Sequence, residues 1–238
     1  ASRLRLKWDE ALALQVVLAK QRHEEDSWPA ISRTEKPDGL LAAFDARLPF
    51  TLTQGQSEVA KTIAAEMAAG HPMHRLLQGE VGSGKTVVAV RAMLTVVDSG
   101  GQAALLAPTE VLAAQHYRAI TTLLGPLAER GKLGAHDEGT GVTLLTGSMT
   151  TAARRQALLD ITSGQAGIVI GTHALLEDRV DFFDLGLVVI DEQHRFGVEQ
   201  RATLVGKAGS DRRPHVLVMT ATPIPRTVAM TVFGDLDI

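Results

Sequence analysis

The chain has 238 residues, of which 45% are hydrophobic, 21% charged and 4% aromatic. This composition excludes a disordered chain, and no apolar run reaches the roughly 18 residues that a membrane helix needs. The net charge of -3 excludes a protein that coats nucleic acid with a basic surface, although contacts through backbone amides remain possible. Because cysteine is absent, disulfides and thiolate metal sites are excluded, and we expect a cytoplasmic protein without a membrane partner.

Two helices are predicted before the first strand. Residues 8–24 carry apolar positions at helical spacing, and the polar stretch that follows contains two prolines, which indicates a linker. Residues 53–69 form the second predicted helix, with Thr53 as its N-cap. The sequence therefore divides into an N-terminal helical extension and linker over 1–47 and a main domain over 48–238.

In the main domain, short apolar strands alternate with helices. Most strands show little polar alternation, as expected where helices cover both faces of a sheet. The pattern predicts an α/β fold with a doubly wound, mainly parallel sheet and flanking crossover helices. The predicted strands are 74–78, 102–107, 142–146, 167–171, 185–190 and 215–220. The predicted helices are 85–98, 109–124, 150–163 and 223–233, and a glycine-rich surface loop is predicted over 128–141.

Residues 79–86 read GEVGSGKT and match the phosphate-binding pattern G-x-x-x-x-G-K-[ST] at every fixed position. A predicted strand precedes this loop and a predicted helix follows it, so backbone N–H groups and the helix N-terminus would face a phosphate. Lys85 can reach the β- and γ-phosphates, and the Thr86 hydroxyl can bind Mg²⁺. The alternative is a glycine-rich turn with an incidental lysine. The predicted cofactor-binding residues of the loop are Gly79, Gly82, Ser83, Gly84, Lys85 and Thr86.

An acidic pair, Asp191 and Glu192, follows the apolar run LVVI. At that position Asp191 can bind Mg²⁺ directly or through water, and Glu192 can polarise an attacking water. A lone acidic pair after a strand is usually a solvated turn. In combination with the phosphate loop, the pair predicts hydrolysis rather than phosphoryl transfer to a metabolite.

Three more motifs follow predicted strands at the end where doubly wound sheets place their ligands. They are ALLAPTE (104–110), IVIGTH (168–173) and MTATPIPRT (219–227). The alternative for the first two motifs is that their threonines, Thr109 and Thr172, are helix N-caps, and for either motif taken singly this alternative is favoured.

The order GEVGSGKT, APTE, GTH, DEQH and TATP resembles motifs I, Ia, Ib, II and III of superfamily 2 helicases. The stretches IDEQHRFGVEQR (190–201), TATPIPRT (220–227) and LPFTLTQGQ (48–56) resemble the RecG type of branched-DNA helicase. Transcription–repair coupling translocases and primosomal helicases have related sequences, with DEEH in place of DEQH. The resemblance covers residues 48–238 well and 1–47 weakly, and it implies the RecA-like first lobe of a helicase that uses ATP and Mg²⁺.

This resemblance implies roles for individual residues of the nucleotide site. Gln56 would read the adenine edge, with Phe50 over the adenine face. Thr86 and Asp191 would hold Mg²⁺. The implied catalytic residues are Lys85, Asp191, Glu192, Gln193 and His194.

The resemblance also implies branched or double-stranded DNA as partner, together with a second helicase lobe and a wedge domain elsewhere in the full-length chain. The residues expected along the DNA backbone are Pro108, Thr109, Gly171 and Thr172. Because parallel strand ends converge on one crevice, we expect a hydroxyl of Thr220 or Thr222 within hydrogen-bond reach of His194, which would couple nucleotide state to lobe movement. Alternatively, Thr220 caps a helix that begins near Pro223.

Four residues without a motif receive ordinary structural roles. His116 and His136 are predicted to be surface histidines. Phe182 and Phe183 are predicted to belong to the core rather than to stack on bases.

Two other classes of function compete with this interpretation. A small-molecule kinase or nucleotide switch shares the phosphate loop, but the chain lacks a guanine-reading N-K-x-D motif and has TATP after DEQH. A fragment that only binds partners is the other alternative. Since no motif IV, V or VI and no initiator methionine is present, we expect a fragment that is nearly inactive alone.

Overall fold

A computed structural model of the chain describes residues 27–128, 139–191, 198–209 and 211–221, together with Leu12, Val16, Ala19 and Lys20. The strands are β1 (His74–Gln78), β2 (Gln102–Leu106), β3 (Gly141–Leu145), β4 (Ala166–Gly171), β5 (Leu185–Asp191) and β6 (His215–Thr220). The helices are α1 (Leu40–Arg47), α2 (Gln54–Met67), α3 (Lys85–Asp98), α4 (Glu110–Leu124), α5 (Thr151–Thr162) and α6 (Val198–Gly206). Short 3₁₀ helices cover Gly125–Ala128 and His173–Leu176.

The six strands form one sheet in the order β1-β6-β5-β2-β4-β3, and every neighbouring pair is parallel. The predicted α/β fold with a parallel sheet is therefore confirmed. Each predicted strand lies within one residue of its observed bounds. The predicted helix 223–233 lies outside the described residues, as does most of 8–24, where the four described residues are helical.

Helices cover both faces of the sheet, which explains why its strands read as continuous apolar runs. Alternate residues of β5 enter two separate cores. Leu187 and Val189 pack into a core with α1 to α4, whereas Val188 and Ile190 pack into a core with α5 and α6. Asp191 follows Ile190 and so belongs to the face that carries α3 and α4.

A threonine occupies the N-cap position of three helices, as predicted for Thr53. The Thr53 hydroxyl accepts a hydrogen bond from the Gln56 backbone amide at 3.3 Å, and the Thr53 backbone amide donates to Gln56 Oε1 at 2.9 Å. The Thr109 hydroxyl caps α4 by accepting from the Leu112 amide, and the Thr150 hydroxyl caps α5 by accepting from the Ala153 amide. Such caps each contribute about 1 kcal/mol. The N-cap interpretation is thus correct for Thr109, whereas Thr172 makes no side-chain cap bond to the 3₁₀ helix that follows it.

Helix α1 is absent from the prediction because its cap comes from a distant part of the chain. Gly39 at its N-cap position has no side chain to offer. Instead, the Asp98 carboxylate at the end of α3 accepts from the amides of Leu40 at 2.7 Å and Leu41 at 3.0 Å. With Phe44, these leucines are buried against the main core, so residues 40–47 pack against the main domain.

Residues 27–39 form no helix or strand, as expected of a linker, but hydrogen bonds attach them to the main domain. The Arg33 amide donates to Met67 O at 2.7 Å, and the Arg33 side chain, 2% exposed, donates from Nη2 to both Asp184 oxygens at 2.7 Å. A Cβ at Gly101 would lie 2.6 Å from Arg33 Nη1, and one at Gly186 would lie 2.8 Å from Arg33 Nε. Two glycines therefore make room for the guanidinium.

A buried histidine joins this segment to the sheet. His215 Nδ1 accepts from the Met73 amide at 3.0 Å, and Nε2 donates to Ile31 O at 3.2 Å. Both bonds require the neutral ring with its hydrogen on Nε2. Burial lowers the pKa of His215 from 6.5 to about 4.

We expect the stability of the chain to decrease in mildly acidic solution because of His215. The unfolded chain takes up this proton near pH 6.5, whereas the folded chain resists it down to about pH 4. The contribution of His215 to the free energy of unfolding is complete above pH 6.5. It falls by on the order of 3 kcal/mol between pH 6.5 and pH 4. Urea unfolding at a series of pH values gives the free energy of unfolding, and the slope of that free energy against pH measures the loss.

His215→Gln should flatten that slope, whatever its effect on stability at neutral pH. The exposed His173 provides a matched control, because it lies at the carboxyl edge of the sheet, away from His215, and His173→Gln should leave the slope unchanged. An equal slope in the wild type and His215→Gln would show that another group causes the acid sensitivity.

Candidate active site

The motifs of the sequence share one edge of the sheet. Because all strands are parallel, their carboxyl ends lie together. The phosphate loop follows β1 and Asp191 ends β5, with β6 between these two strands. The motifs APTE and GTH follow β2 and β4, which are neighbours. The fold therefore places all these strand ends at one edge, as the sequence predicted.

The phosphate loop needs its glycines for two reasons. Gly82 and Gly84 both have φ 84, in the left-handed region where a side chain is strained. A Cβ at Gly79 would lie 2.6 Å from Ser83 Oγ. The tip of the loop, from Glu80 to Ser83, is exposed. An anion can therefore approach the loop at the N-terminus of α3.

Lys85 is held by the loop itself. Its Nζ donates to Gly79 O at 2.6 Å and to Glu80 O at 2.9 Å. The ammonium thus lies beside the loop backbone, and it must exchange these carbonyls for phosphate oxygens to act on a nucleotide. Thr86, half-buried, is the next residue of α3.

Gln56 connects the start of α2 to the phosphate loop. Its Oε1 accepts from the Thr53 amide, and its Nε2 donates to Ser83 O at 2.9 Å. A Cβ at Gly84 would collide with that amide nitrogen. Both ends of the Gln56 amide are therefore engaged, and reading an adenine edge would require at least one of these bonds to be exchanged.

Phe50 borders an open pocket next to this region, and its side chain is 46% exposed. Arg91 of α3 also borders the pocket and pairs with Asp45 of α1. The complete lining is Asp45, Leu48, Pro49, Phe50, Thr51, Leu52, Ser57 and Arg91. An exposed aromatic ring beside an open pocket is compatible with the predicted contact to a base.

Asp191 has a partner that the sequence did not predict. Its Oδ2 lies 2.7 Å from Nε2 of His116, and both side chains are only 15% exposed. The prediction that His116 is an ordinary surface residue is therefore wrong. His116 lies three residues after Ala113 and four before Ile120, both buried, so helical periodicity alone places it on the inner face of α4.

The remaining residues of motifs II and III divide between described and undescribed positions. Glu192, Gln193, His194 and Thr222 lie outside the described residues. Thr220 is buried at the end of β6, and its carbonyl accepts from the Gly79 amide at 3.3 Å. Met219 is in register with Asp191. Motif III therefore adjoins both the phosphate loop and Asp191, and the contact to His194 stays a prediction.

The four predicted DNA-backbone residues differ in accessibility. Thr109 is exposed and Pro108 is half-buried, whereas Gly171 and Thr172 are buried. A Cβ at Gly171 would collide with Leu145 O, so packing against β3 explains this glycine without a ligand. The amide of Ala107 donates to Gly171 O at 2.8 Å and thereby joins the two motifs.

Sequence analysis missed a further loop at this edge, between β3 and α5. Gly147 and Ser148 are exposed between β3 and α5, and the Glu110 carboxylate accepts from the Ser148 amide at 3.0 Å and from its hydroxyl. These hydrogen bonds lower the pKa of Glu110. The signal was present, because TGS directly follows a predicted strand as the other motifs do.

The two phenylalanines without a motif have different environments. Phe182 packs against the core of α5 and α6, as predicted. Phe183 is 68% exposed, so the prediction of a core residue is wrong there. Its ring covers Gly164, where a Cβ would lie 3.2 Å away.

The described residues suit a magnesium ion that arrives with phosphates. Within them, no group of three histidine, cysteine or acidic side chains is arranged to hold a metal. Mg²⁺ commonly takes one or two protein oxygens and completes its shell with phosphates and water. Asp191 and Thr86 fit that pattern. In the same part of the chain, no helix has the length and apolarity that crossing a membrane requires.

Comparison with known proteins agrees with the motif order. The model of the DEAD/DEAH box helicase family matches residues 53–231. The chain is 60% identical over 236 residues to the ATP-dependent DNA helicase RecG of Mycobacterium tuberculosis (strain ATCC 25618 / H37Rv), covering 99% of this chain and 32% of that protein. It is 46% identical to the RecG of Synechocystis sp., covering 100% of this chain and 27% of that protein. The chain thus spans about a third or less of these relatives.

Solved structures support the same resemblance. A structure of RecG bound to a three-way DNA junction has a TM-score of 0.80 and 38% identity, covering 98% of this chain and 29% of that one. A DEAD box protein from Methanococcus jannaschii has a TM-score of 0.58 and 18% identity, covering 88% of this chain and 54% of that one, which shows the fold alone. The resemblance to RecG-type helicases is therefore confirmed.

We expect Lys85→Ala to abolish binding of ADP–Mg²⁺ while leaving the fold intact. Among the described residues the ammonium donates to loop carbonyls, so its removal costs little packing but deletes the charge that faces phosphate. Calorimetry with ADP–Mg²⁺ measures the loss. The exposed Lys61 on α2 provides a control with the same change of charge, and Lys61→Ala should bind normally. Unchanged affinity in Lys85→Ala would refute the assignment.

Proposed function

The chain belongs to the DEAD/DEAH box helicase family, and on that premise we propose that it is the ATP-binding motor lobe of a RecG-type helicase. The full-length protein would couple ATP hydrolysis to movement on branched or double-stranded DNA and to its remodelling in repair and recombination. The main support is the convergence of a phosphate loop, Asp191 and two further loops at one sheet edge. The 60% identity to RecG favours this type over transcription–repair coupling or primosomal translocases.

In this proposal the nucleotide binds along α3 and the loop before it. Lys85 would exchange its two loop carbonyls for phosphate oxygens, while Gln56 and Phe50 would bind the base. ATP supplies a phosphoanhydride bond whose hydrolysis releases free energy, and the accompanying Mg²⁺ neutralises phosphate charge. Asp191 and Thr86 would hold that ion, and Glu192 would accept a proton from the attacking water.

DNA contact in this proposal is made to phosphates and does not depend on base sequence. Thr109, Ser148 and His173 are exposed at the carboxyl edge, next to the junction of the APTE and GTH motifs. Small polar side chains and backbone amides suit phosphate contact rather than base readout. The net charge of -3 predicts weak binding by this lobe alone, so the second lobe and wedge domain would contribute most of the affinity.

ATP hydrolysis by the full-length protein should increase when branched DNA is added, because DNA contact would position the lobes for catalysis. Steady-state ATPase rates with a three-way junction, with linear duplex and without DNA provide the measurement. An equal rate in all three conditions would contradict the proposed coupling to branched DNA.

Glu192→Gln in the full-length protein should preserve ATP binding and prevent hydrolysis. The amide keeps the shape of the carboxylate but cannot accept a proton, and general-base catalysis contributes about 10²–10⁴-fold. Single-turnover hydrolysis and nucleotide affinity should be measured together. The exposed Glu35 supplies a matched control, because Glu35→Gln removes the same charge far from the loop. A rate within a few-fold of wild type would show that Glu192 is not the base.

A further inference from the structure

The contact between His116 and Asp191 joins two elements that the proposed mechanism otherwise treats separately. Asp191 ends β5, and His116 lies in α4, which follows β2. Their 2.7 Å contact is largely shielded from water, since each side chain is 15% exposed. Asp191 binds a cation as the carboxylate, which only accepts hydrogen bonds, so Nε2 of His116 is the donor.

The position of His116 is fixed at both ends of its helix. The N-terminus of α4 is capped by Thr109, and Glu110 is attached to the loop at Ser148. Farther along, Ile120 and Leu124 are fully buried in the core beneath the helix. A helix held in this way leaves the imidazole little freedom to move relative to β5.

We infer that His116 is a positioning residue for the magnesium-binding carboxylate of Asp191. Its hydrogen bond holds Oδ2 and leaves Oδ1 for the cation, directly or through water. The inference rests on the proposed nucleotide site, because Asp191 needs an oriented oxygen only if Mg²⁺ binds there. His116 itself touches neither the cation nor the nucleotide in this role.

Orientation of Asp191 matters because Mg²⁺ is demanding in its geometry. The ion requires near-octahedral coordination at short distances, so a carboxylate that rotates freely must lose entropy when it binds. Hydrogen bonds from neighbouring side chains to metal ligands reduce that loss, and their removal typically lowers metal affinity 10–100-fold. A single 2.7 Å bond to one oxygen is the arrangement that such a partner makes.

The location of His116 also gives the inference a consequence for the motor. His116 lies seven residues after the cap Thr109 at the edge proposed to contact DNA, about 10 Å along the helix axis at 1.5 Å per residue. One helix therefore connects the edge proposed to contact DNA with the Asp191 carboxylate.

The test measures how the binding of a fluorescent ADP analogue to the 238-residue chain depends on Mg²⁺. His116→Leu keeps an apolar side chain on the inner face of α4 but removes the donor. We expect the Mg²⁺ concentration at the midpoint of the titration to rise about 10–100-fold. Affinity for the analogue in EDTA should stay within about twofold of wild type, because the phosphate loop is unchanged.

His116→Gln tests the hydrogen bond directly, since its amide can donate at nearly the same distance from the helix. This variant should restore the midpoint to within about threefold of wild type. The exposed His71 offers a matched control, and His71→Leu should leave the midpoint unchanged. If His116→Leu fails to fold, His116→Asn replaces it, because that shorter amide does not span the distance to Asp191.

The outcomes separate this inference from the function on which it rests. The inference is wrong if His116→Leu keeps the wild-type midpoint, or if it loses affinity equally with Mg²⁺ and in EDTA. Either result would leave the proposed nucleotide site intact. Absence of any Mg²⁺ dependence in the wild type would overturn both. Loss in His116→Leu with recovery in His116→Gln would support the positioning role.

Discussion

Parallel pairing of the strands is the constraint on which the site depends. Because β1, β6, β5 and β2 run in the same direction as neighbours, the loops that follow them must open at one edge of the sheet. The register then sets finer distances, since Asp191 pairs with Met219, Gln78 pairs with Thr220, and Gly79 donates to Thr220 O. Backbone pairing of the strands is therefore sufficient to place the phosphate loop, motif II and motif III next to one another, without side-chain contacts.

The opposite edge of the sheet is joined to the N-terminal segment by buried polar contacts. Arg33 pairs with Asp184 just before β5, and His215 at the start of β6 bonds to Ile31 O and the Met73 amide. Each of these groups is costly to bury unless it is paired, so the contacts tie the N-terminal segment specifically to this edge. Paired buried groups therefore lie at the amino edge, and exposed loops lie at the carboxyl edge.

Helix α4 is the element that connects the separate parts of the carboxyl edge. Its first turn is fixed by Thr109 and by the bonds between Glu110 and Ser148, and its inner face carries His116 to Asp191. The loops after β2 and β3 and the end of β5 are therefore joined through one helix. Since α4 packs against the same core as α3, the helix that follows the phosphate loop, both helices rest on one apolar layer.

The sequence by itself determined the features that depend on local pattern: the six strands, the helix caps at Thr53 and Thr109, and the phosphate loop with left-handed Gly82 and Gly84. Such features are encoded within a few neighbouring residues, so a single sequence is sufficient to read them. Only the tertiary structure decided three others: α1, whose cap comes from Asp98; the burial of Arg33; and the pairing of His116 with Asp191. Each depends on partners dozens of residues apart in the chain, and such a pairing becomes definite only when the sheet order and helix packing are fixed.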